Sequence, residues 1–180
     1  MRIISGIAKG RLLHVPKSDR IRPALDKVKG AIFNILYDVA GQKIMDLFAG
    51  TGSVGLEALS RGAVSCLFID QLPEALTLLR KNIEHCGFEA SAAVLRLEVP
   101  RELRRAQKFG PFDLIFVDPP YDKDLVNPTL TAIAREKILA PGGKVVVEHS
   151  PREAILPGVG LTLFDQRKYG QTIVAFLKKA

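Results

Sequence analysis

Cysteine and histidine are both scarce in this chain, which holds two of the first and three of the second. Cys66 and Cys86 are too few for a disulfide framework or a four-ligand zinc site, and they read as small buried apolar residues. His14, His85 and His149 are scattered and match no metal-ligand spacing, so no metal is expected. The start, Met1-Arg2-Ile3-Ile4-Ser5-Gly6, lacks the apolar core of a signal peptide. No apolar run is long enough to span a bilayer. A protein of the reducing cytoplasm, off the membrane, is the expectation. The 180 residues, 47% hydrophobic and 25% charged, suit one globular domain with one sizeable core.

What the chain does carry is an uneven charge. Of a formal net charge of +7, residues 1–30 hold +6, from eight basic side chains against Asp19 and Asp26. The remaining 150 residues are close to neutral. Phosphate backbones attract such a cluster through Coulomb attraction and counterion release. A solvated basic arm is the plain alternative; nucleic-acid contact through Arg2, Lys9, Arg11 and Arg22 is the reading preferred here.

Beyond the basic segment, apolar runs alternate with helical spacing. Ile44–Phe48, Cys66–Asp70, Leu114–Asp118 and Lys144–Glu148 read as buried strands. Residues 53–61, 73–86 and 125–138 read as helices, the second opening on Pro73 and stopping at Gly87. A further helix is expected over 25–37, with Leu25, Val28 and Ile32 on one face. Strand and helix in alternation require a parallel sheet covered on both faces. Leu161–Phe164 and Thr172–Leu177 are too close in sequence for a crossover and should pair as an antiparallel hairpin. Arg2–Ser5 and Leu12–Val15 flank Ala8-Lys9-Gly10 as a small N-terminal hairpin. The expectation is a doubly wound α/β domain over 1–180, with a basic extension at 1–24 and a catalytic core at 25–180.

Asp46-Leu47-Phe48-Ala49-Gly50-Thr51-Gly52-Ser53-Val54-Gly55 links the first core strand to a helix and satisfies G-x-G-x-x-G. Asp70 follows at the end of the next strand. This resembles a dinucleotide fingerprint, in which a pyrophosphate meets a helix N-terminus. Asp46 argues otherwise, because a carboxylate a few ångströms from a pyrophosphate in a partly dry site costs several kcal/mol. S-adenosylmethionine carries an ammonium and a sulfonium and no phosphate, so the sign reverses. Asp46, Phe48, Ala49, Gly50, Thr51 and Gly52 are the candidate cofactor loop, with Asp70 accepting the ribose hydroxyls. A nicotinamide-dependent dehydrogenase and a purely structural turn are the weaker readings.

A second motif is more specific. The strand Phe112–Val117 runs into Asp118-Pro119-Pro120-Tyr121 at its carboxyl end, where α/β sheets place ligands. Prolines donate no amide hydrogen, which leaves carbonyl oxygens free as acceptors. Asp118 and the Pro119 carbonyl can each take one hydrogen of an exocyclic amine and aim its lone pair at a methyl donor. Tyr121 offers a flat face for a base.

Together these motifs resemble the RsmD-like family of bacterial 16S ribosomal RNA guanine-N2 methyltransferases. The likeness runs over essentially the whole chain, through Arg2-Ile3-Ile4-Ser5-Gly6, Lys9-Gly10-Arg11, Arg22-Pro23, the glycine loop, Gly55–Gly62, Asp118–Tyr121 and Lys168-Tyr169-Gly170. It implies a seven-stranded, Rossmann-like methyltransferase sheet with a β-hairpin extension and S-adenosylmethionine as cofactor. The implied substrate is 16S ribosomal RNA, naked or in an assembling small subunit, and a monomer is expected. A DNA or RNA adenine-N6 methyltransferase is the alternative, since Asp-Pro-Pro-Tyr serves that amine too. The chain departs from the family pattern at Ala24, where threonine is usual, and at Asp70, where glutamate is common. In Leu97-Glu98-Val99-Pro100, Glu98 is the positional match for an adenine contact. Tyr169 is a candidate for the pocket rim.

Overall fold

The computed structural model describes residues 1–16, 23–156 and 160–179. In chain order the elements are α1 (Pro23–Leu36), β1 (Lys43–Leu47), α2 (Ser53–Ser60), β2 (Ser65–Asp70), α3 (Pro73–Cys86) and β3 (Ala92–Arg96). A 3-10 helix (Leu103–Phe109) follows, then β4 (Phe112–Val117), α4 (Val126–Arg135), β5 (Leu139–His149), β6 (Leu161–Tyr169) and β7 (Thr172–Lys179). The strands form one sheet in the order β3-β2-β1-β4-β5-β7-β6. Neighbours from β3 to β5 run parallel. β7 is antiparallel to both β5 and β6. The expected doubly wound, seven-stranded methyltransferase sheet with a C-terminal antiparallel hairpin is the fold observed. Among the described residues, no helix is long and apolar enough to cross a membrane.

Both faces of the sheet are covered, which explains why its strands read as continuous apolar runs. Ile44, Cys66, Phe68, Leu114, Phe116 and Val146 pack on one side with α1, α2 and α3. Their neighbours Met45, Leu47, Leu67, Ile115, Val117 and Val147 pack on the other with the 3-10 helix and α4. The alternation is the period-2 pleat acting within each run.

Three elements differ from the sequence reading. β3 carries no strong apolar signal, because its residues are at most half-buried at the sheet edge. β6 continues to Tyr169, well past the apolar run Leu161–Phe164; as the opposite edge strand it is largely exposed. Its polar half is held by pairing with β7, not by burial. The helix expected over 125–138 stops at Arg135.

The N-terminal segment also differs from a free basic arm. Among the described residues it makes one isolated antiparallel bridge, Arg2 to Leu12, and buries Ile3, Ala8 and Leu13 in the core. The fully buried Glu57 of α2 accepts the Ile4 and Ser5 amides at 2.7 and 3.0 Å. The same carboxylate takes Arg61 Nε at 2.8 Å and sits 3.5 Å from Lys29 Nζ. Lys29 is therefore not a free surface cation. It is 3% exposed and donates to the Arg2 carbonyl and the Ser53 hydroxyl at 2.7 and 2.9 Å. Burial pushes its ammonium down against the pull of Glu57 and Asp26.

Candidate active site

The carboxyl ends of four adjacent strands each carry an acid: Asp70 on β2, Asp46 on β1, Asp118 just past β4 and Glu148 on β5. A cavity of about 440 Å³ opens over three of them, Asp46, Asp118 and Glu148. Phe116 and Val146 share its floor with Asp46, and Phe48 to Thr51 form one wall. Lys29 and Ile32 of α1, Leu78 of α3 and Met1 of the N-terminal segment close it further. The N-terminal segment is thus a wall of the cavity as well as a basic surface. Among the described residues, no group of three or more His, Cys, Asp or Glu is arranged to hold a metal ion.

Asp46 pairs in register with Phe68 and Phe116 on its two flanking strands. It is 3% exposed, and among the described residues its hydrogen-bond donor is the Gly55 amide at 3.0 Å. Desolvation, with smaller repulsion from Asp118 and Asp70, pushes its carboxyl from 3.8 up to about 7, against the Gly55 bond. Glu148 is pushed up by burial and by repulsion from Asp118 and Asp46. Asp118 keeps solvent contact at the cavity mouth, while the protein packed behind its carboxyl also raises it. Three strained carboxyls around one cavity favour a cationic ligand and repel a pyrophosphate.

The three glycines of the loop do different work. Gly50 adopts φ +55°, and a Cβ there would meet nothing closer than the Phe48 carbonyl at 4.0 Å, so its bare backbone forms cavity wall. Gly52, with φ +80°, opens α2 but does not line the cavity. A Cβ on it would lie 2.3 Å from Leu79 Cδ1, so glycine serves packing there. Gly55 is the same, with Phe68 Cε1 at 2.3 Å from the added atom. Of the expected cofactor loop, Asp46, Phe48, Ala49, Gly50 and Thr51 face the cavity and Gly52 supports it from behind.

Asp70 lies beside the cavity with both carboxylate oxygens on backbone. It accepts the Gly50 amide at 2.8 Å and the Leu72 amide at 2.9 Å. It therefore sets the loop's shape. Glu98 is not part of the cavity. It is exposed in an adjoining groove beside Leu72 and Pro73, with its carboxylate 3.7 Å from Arg101. The polypeptide turns outward there after the Leu97 amide bonds the Asp70 carbonyl at 3.2 Å.

Asp118 follows β4 directly, its amide 3.5 Å from the Leu47 carbonyl at the end of β1. The motif thus begins beside the glycine loop. Pro119 is buried, Pro120 is exposed, and Tyr121 is 39% exposed. The Tyr121 hydroxyl and Thr172 Oγ1, at the start of β7, are 2.7 Å apart. That contact brings the β6–β7 turn, with Tyr169 half-buried before it, to the same end of the sheet. Arg2, Lys9 and Arg11 are exposed on the N-terminal segment, and Arg11 donates to the His85 carbonyl at the end of α3. Arg22 and the neighbouring cations Lys17 and Arg20 lie outside the described residues.

Two features escaped the sequence reading. Glu148 closes the apolar run Lys144–Glu148, as Asp118 and Asp70 close theirs, and that shared pattern was the available signal. Asn82 left none, since one asparagine in a helix is unremarkable. It is fully buried, donates to the Thr51 and His14 carbonyls at 2.9 and 3.0 Å, and accepts the His14 amide at 2.7 Å. It ties α3, the glycine loop and the N-terminal segment into one unit.

Strand order, the glycine loop between β1 and α2, and acids at the strand ends together define a methyltransferase of the Rossmann-like class. A family described as "Conserved hypothetical protein 95" matches residues 1–178, and the chain belongs to it; this is the RsmD-like family its motifs resemble. The chain is 40% identical over 185 residues to the Bacillus subtilis protein named "Putative rRNA methyltransferase YlbH", covering 99% of each. It is 32% identical to "Ribosomal RNA small subunit methyltransferase D" of Haemophilus influenzae, covering 94% of this chain and 89% of that one. Among solved structures, an Escherichia coli protein described as "Putative methyltransferase yhhF" superposes with a TM-score of 0.86 at 29% identity, covering 99% of this chain and 97% of that one.

Proposed function

We propose that the protein methylates the exocyclic N2 amine of a guanine in small-subunit (16S) ribosomal RNA, with S-adenosylmethionine as methyl donor. The observation that carries this reading is the position of Asp118, the first residue of Asp-Pro-Pro-Tyr, at the mouth of an acid-lined cavity and beside the glycine loop. Relatives named as ribosomal RNA small subunit methyltransferases support the choice of RNA.

When bound, S-adenosylmethionine supplies a methyl group already activated on a sulfonium. Asp46 at the cavity floor and the bare backbone of Gly50 fit a cationic, adenosine-bearing molecule; Asp70 offers acceptors for its ribose. The chain then has to hold an amine in line, and alignment at roughly 3–3.5 Å can lower the barrier by several kcal/mol. Asp118 and the Pro119 carbonyl accept the two amine hydrogens and stabilise positive charge as it develops on nitrogen. Asp118 or solvent takes the proton after transfer. Tyr121, braced by Thr172, presents a face on which an unstacked base rests. Arg2, Lys9, Arg11 and Arg22 hold flanking phosphates, as a cytoplasmic enzyme acting on ribosomal RNA or an assembling subunit requires.

The deciding experiment incubates the protein with labelled S-adenosylmethionine and undermethylated small-subunit ribosomal RNA, then identifies the modified nucleoside. N2-methylguanosine is the expected product. N6-methyladenosine would overturn the choice of base, and no transfer to RNA would overturn the substrate class.

A further inference from the structure

The Asp-Pro-Pro-Tyr motif handles the amine of guanine and that of adenine alike, so something else has to choose the base. The geometry points to Glu148 as the group that selects guanine, by accepting the N1–H that adenine lacks. This rests on the reading that the acceptor is a guanine N2 amine.

The placement is set by the sheet. The register pairs Val117 of β4 with Val147 of β5, so the next residues lie side by side, Asp118 just past β4 and Glu148 still within β5, where it pairs with Val174 of β7. Val117 and Val147 pack toward α4; Asp118 and Glu148 follow the pleat to the opposite face, and both line the cavity. β5 also lies on the far side of β4 from β1 and the glycine loop. Glu148 therefore stands beyond Asp118 as seen from the cofactor loop, on the side where a base enters. No hydrogen bond or ion pair reaches its carboxyl from the described residues; its electrostatic neighbours are Asp118 and Asp46, both of the same sign.

The Watson–Crick edge of guanine presents N2–H and N1–H side by side, both donors. With Asp118 and the Pro119 carbonyl on the amine, the adjacent donor falls to the adjacent acceptor, Glu148. Adenine presents a lone pair at N1, which faces the carboxylate with like polarity and leaves it desolvated and unpaired. Burial and Asp118 push the Glu148 carboxyl up to about 8. The protonated form can donate to an N1 lone pair as well as accept N1–H, so the selection belongs to the ionised carboxylate, which only accepts, and the rates are compared at about pH 8.5.

The test begins with the intact wild-type protein and undermethylated small-subunit RNA, in which the methylated guanosine is mapped. That one nucleotide is then replaced by 2-aminopurine, which keeps the 2-amino group but carries an acceptor at N1. Wild-type protein should methylate this RNA roughly 10- to 100-fold more slowly than the guanosine RNA, the scale of one well-made base-edge contact. Glu148→Gln, whose carboxamide both donates and accepts, should slow transfer to guanosine and bring the ratio of the two rates close to one. Titration with S-adenosylhomocysteine confirms that the variant is folded. A Glu148→Gln protein that keeps the wild-type ratio overturns the assignment. So does wild-type protein that methylates both RNAs at rates within threefold, a result that needs no variant. Formation of N6-methyladenosine in the mapping step refutes the guanine reading itself, and is distinguished by the nucleoside formed.

Discussion

Asp46→Asn should stabilise the protein and weaken its cofactor binding at the same time. The Asp46 carboxyl is almost fully buried between Phe68 and Phe116, with the Gly55 amide as its hydrogen-bond donor. Its pKa moves from 3.8 to about 7 through desolvation first and the neighbouring acids second. Each tenfold change in proton affinity is worth about 1.4 kcal/mol, so ionising Asp46 costs roughly 4 kcal/mol more in the folded protein than in the unfolded chain. The folded protein binds this proton more tightly than the unfolded chain does. Asp46 therefore opposes folding least below about pH 4, costs progressively more as pH rises toward 7, and costs no more above that. The substituted asparagine keeps a carbonyl for the Gly55 amide and carries no charge. The stability advantage of the variant should widen by roughly 2–3 kcal/mol between pH 5 and pH 8. Urea unfolding of both proteins at the two pH values measures it. Calorimetry at pH 8 should show S-adenosylmethionine bound at least about tenfold more weakly by the variant, the loss of one buried opposite charge. A stability difference that does not change with pH would refute the desolvated-carboxylate argument. Unchanged cofactor affinity would refute the claim that the acid floor holds a cation.

Four further outcomes are expected. Asp118→Ala should retain cofactor binding by calorimetry and lose roughly 10²-fold or more in turnover, the effect of deleting one preorganised charge-stabilising group. Tyr121→Ala should weaken catalysis by about 1–3 kcal/mol through the absence of stacking, whereas Thr172→Val, which removes only the brace, should cost less in the same single-turnover assay. Neutralising Arg2, Lys9, Arg11 and Arg22 together should weaken RNA binding and flatten its salt dependence, by roughly 0.7–0.9 in log–log slope for every phosphate no longer neutralised; an unchanged slope in filter binding would place the RNA elsewhere. Ile3→Ala should destabilise the fold by about 2–5 kcal/mol in urea unfolding, as truncation of a fully buried residue does; a free arm would show no change.

Much of the architecture is legible in the chain itself. Apolar runs ending in acids, with helical spacing between them, dictate a parallel sheet with its functional residues at the strand ends, because burial on both faces leaves no other arrangement. The glycine loop and Asp-Pro-Pro-Tyr are runs of consecutive residues, so local sequence was enough to single out Asp46, Gly50 and Asp118, which line the cavity. Of the edge strands, β3 was missed and β6 was read only in part, because half-exposed strands are held by pairing and show little apolar pattern. Only the tertiary structure could set Glu148 beside Asp118, since the two are brought together by the register of β4 on β5. The same holds for Lys29, whose charge is spent on Glu57 and the Arg2 carbonyl, and for Asn82, which joins three distant segments. Charge counting assigns every cation to the surface; burial and partner geometry decide which ones remain there, and those are properties of the folded chain.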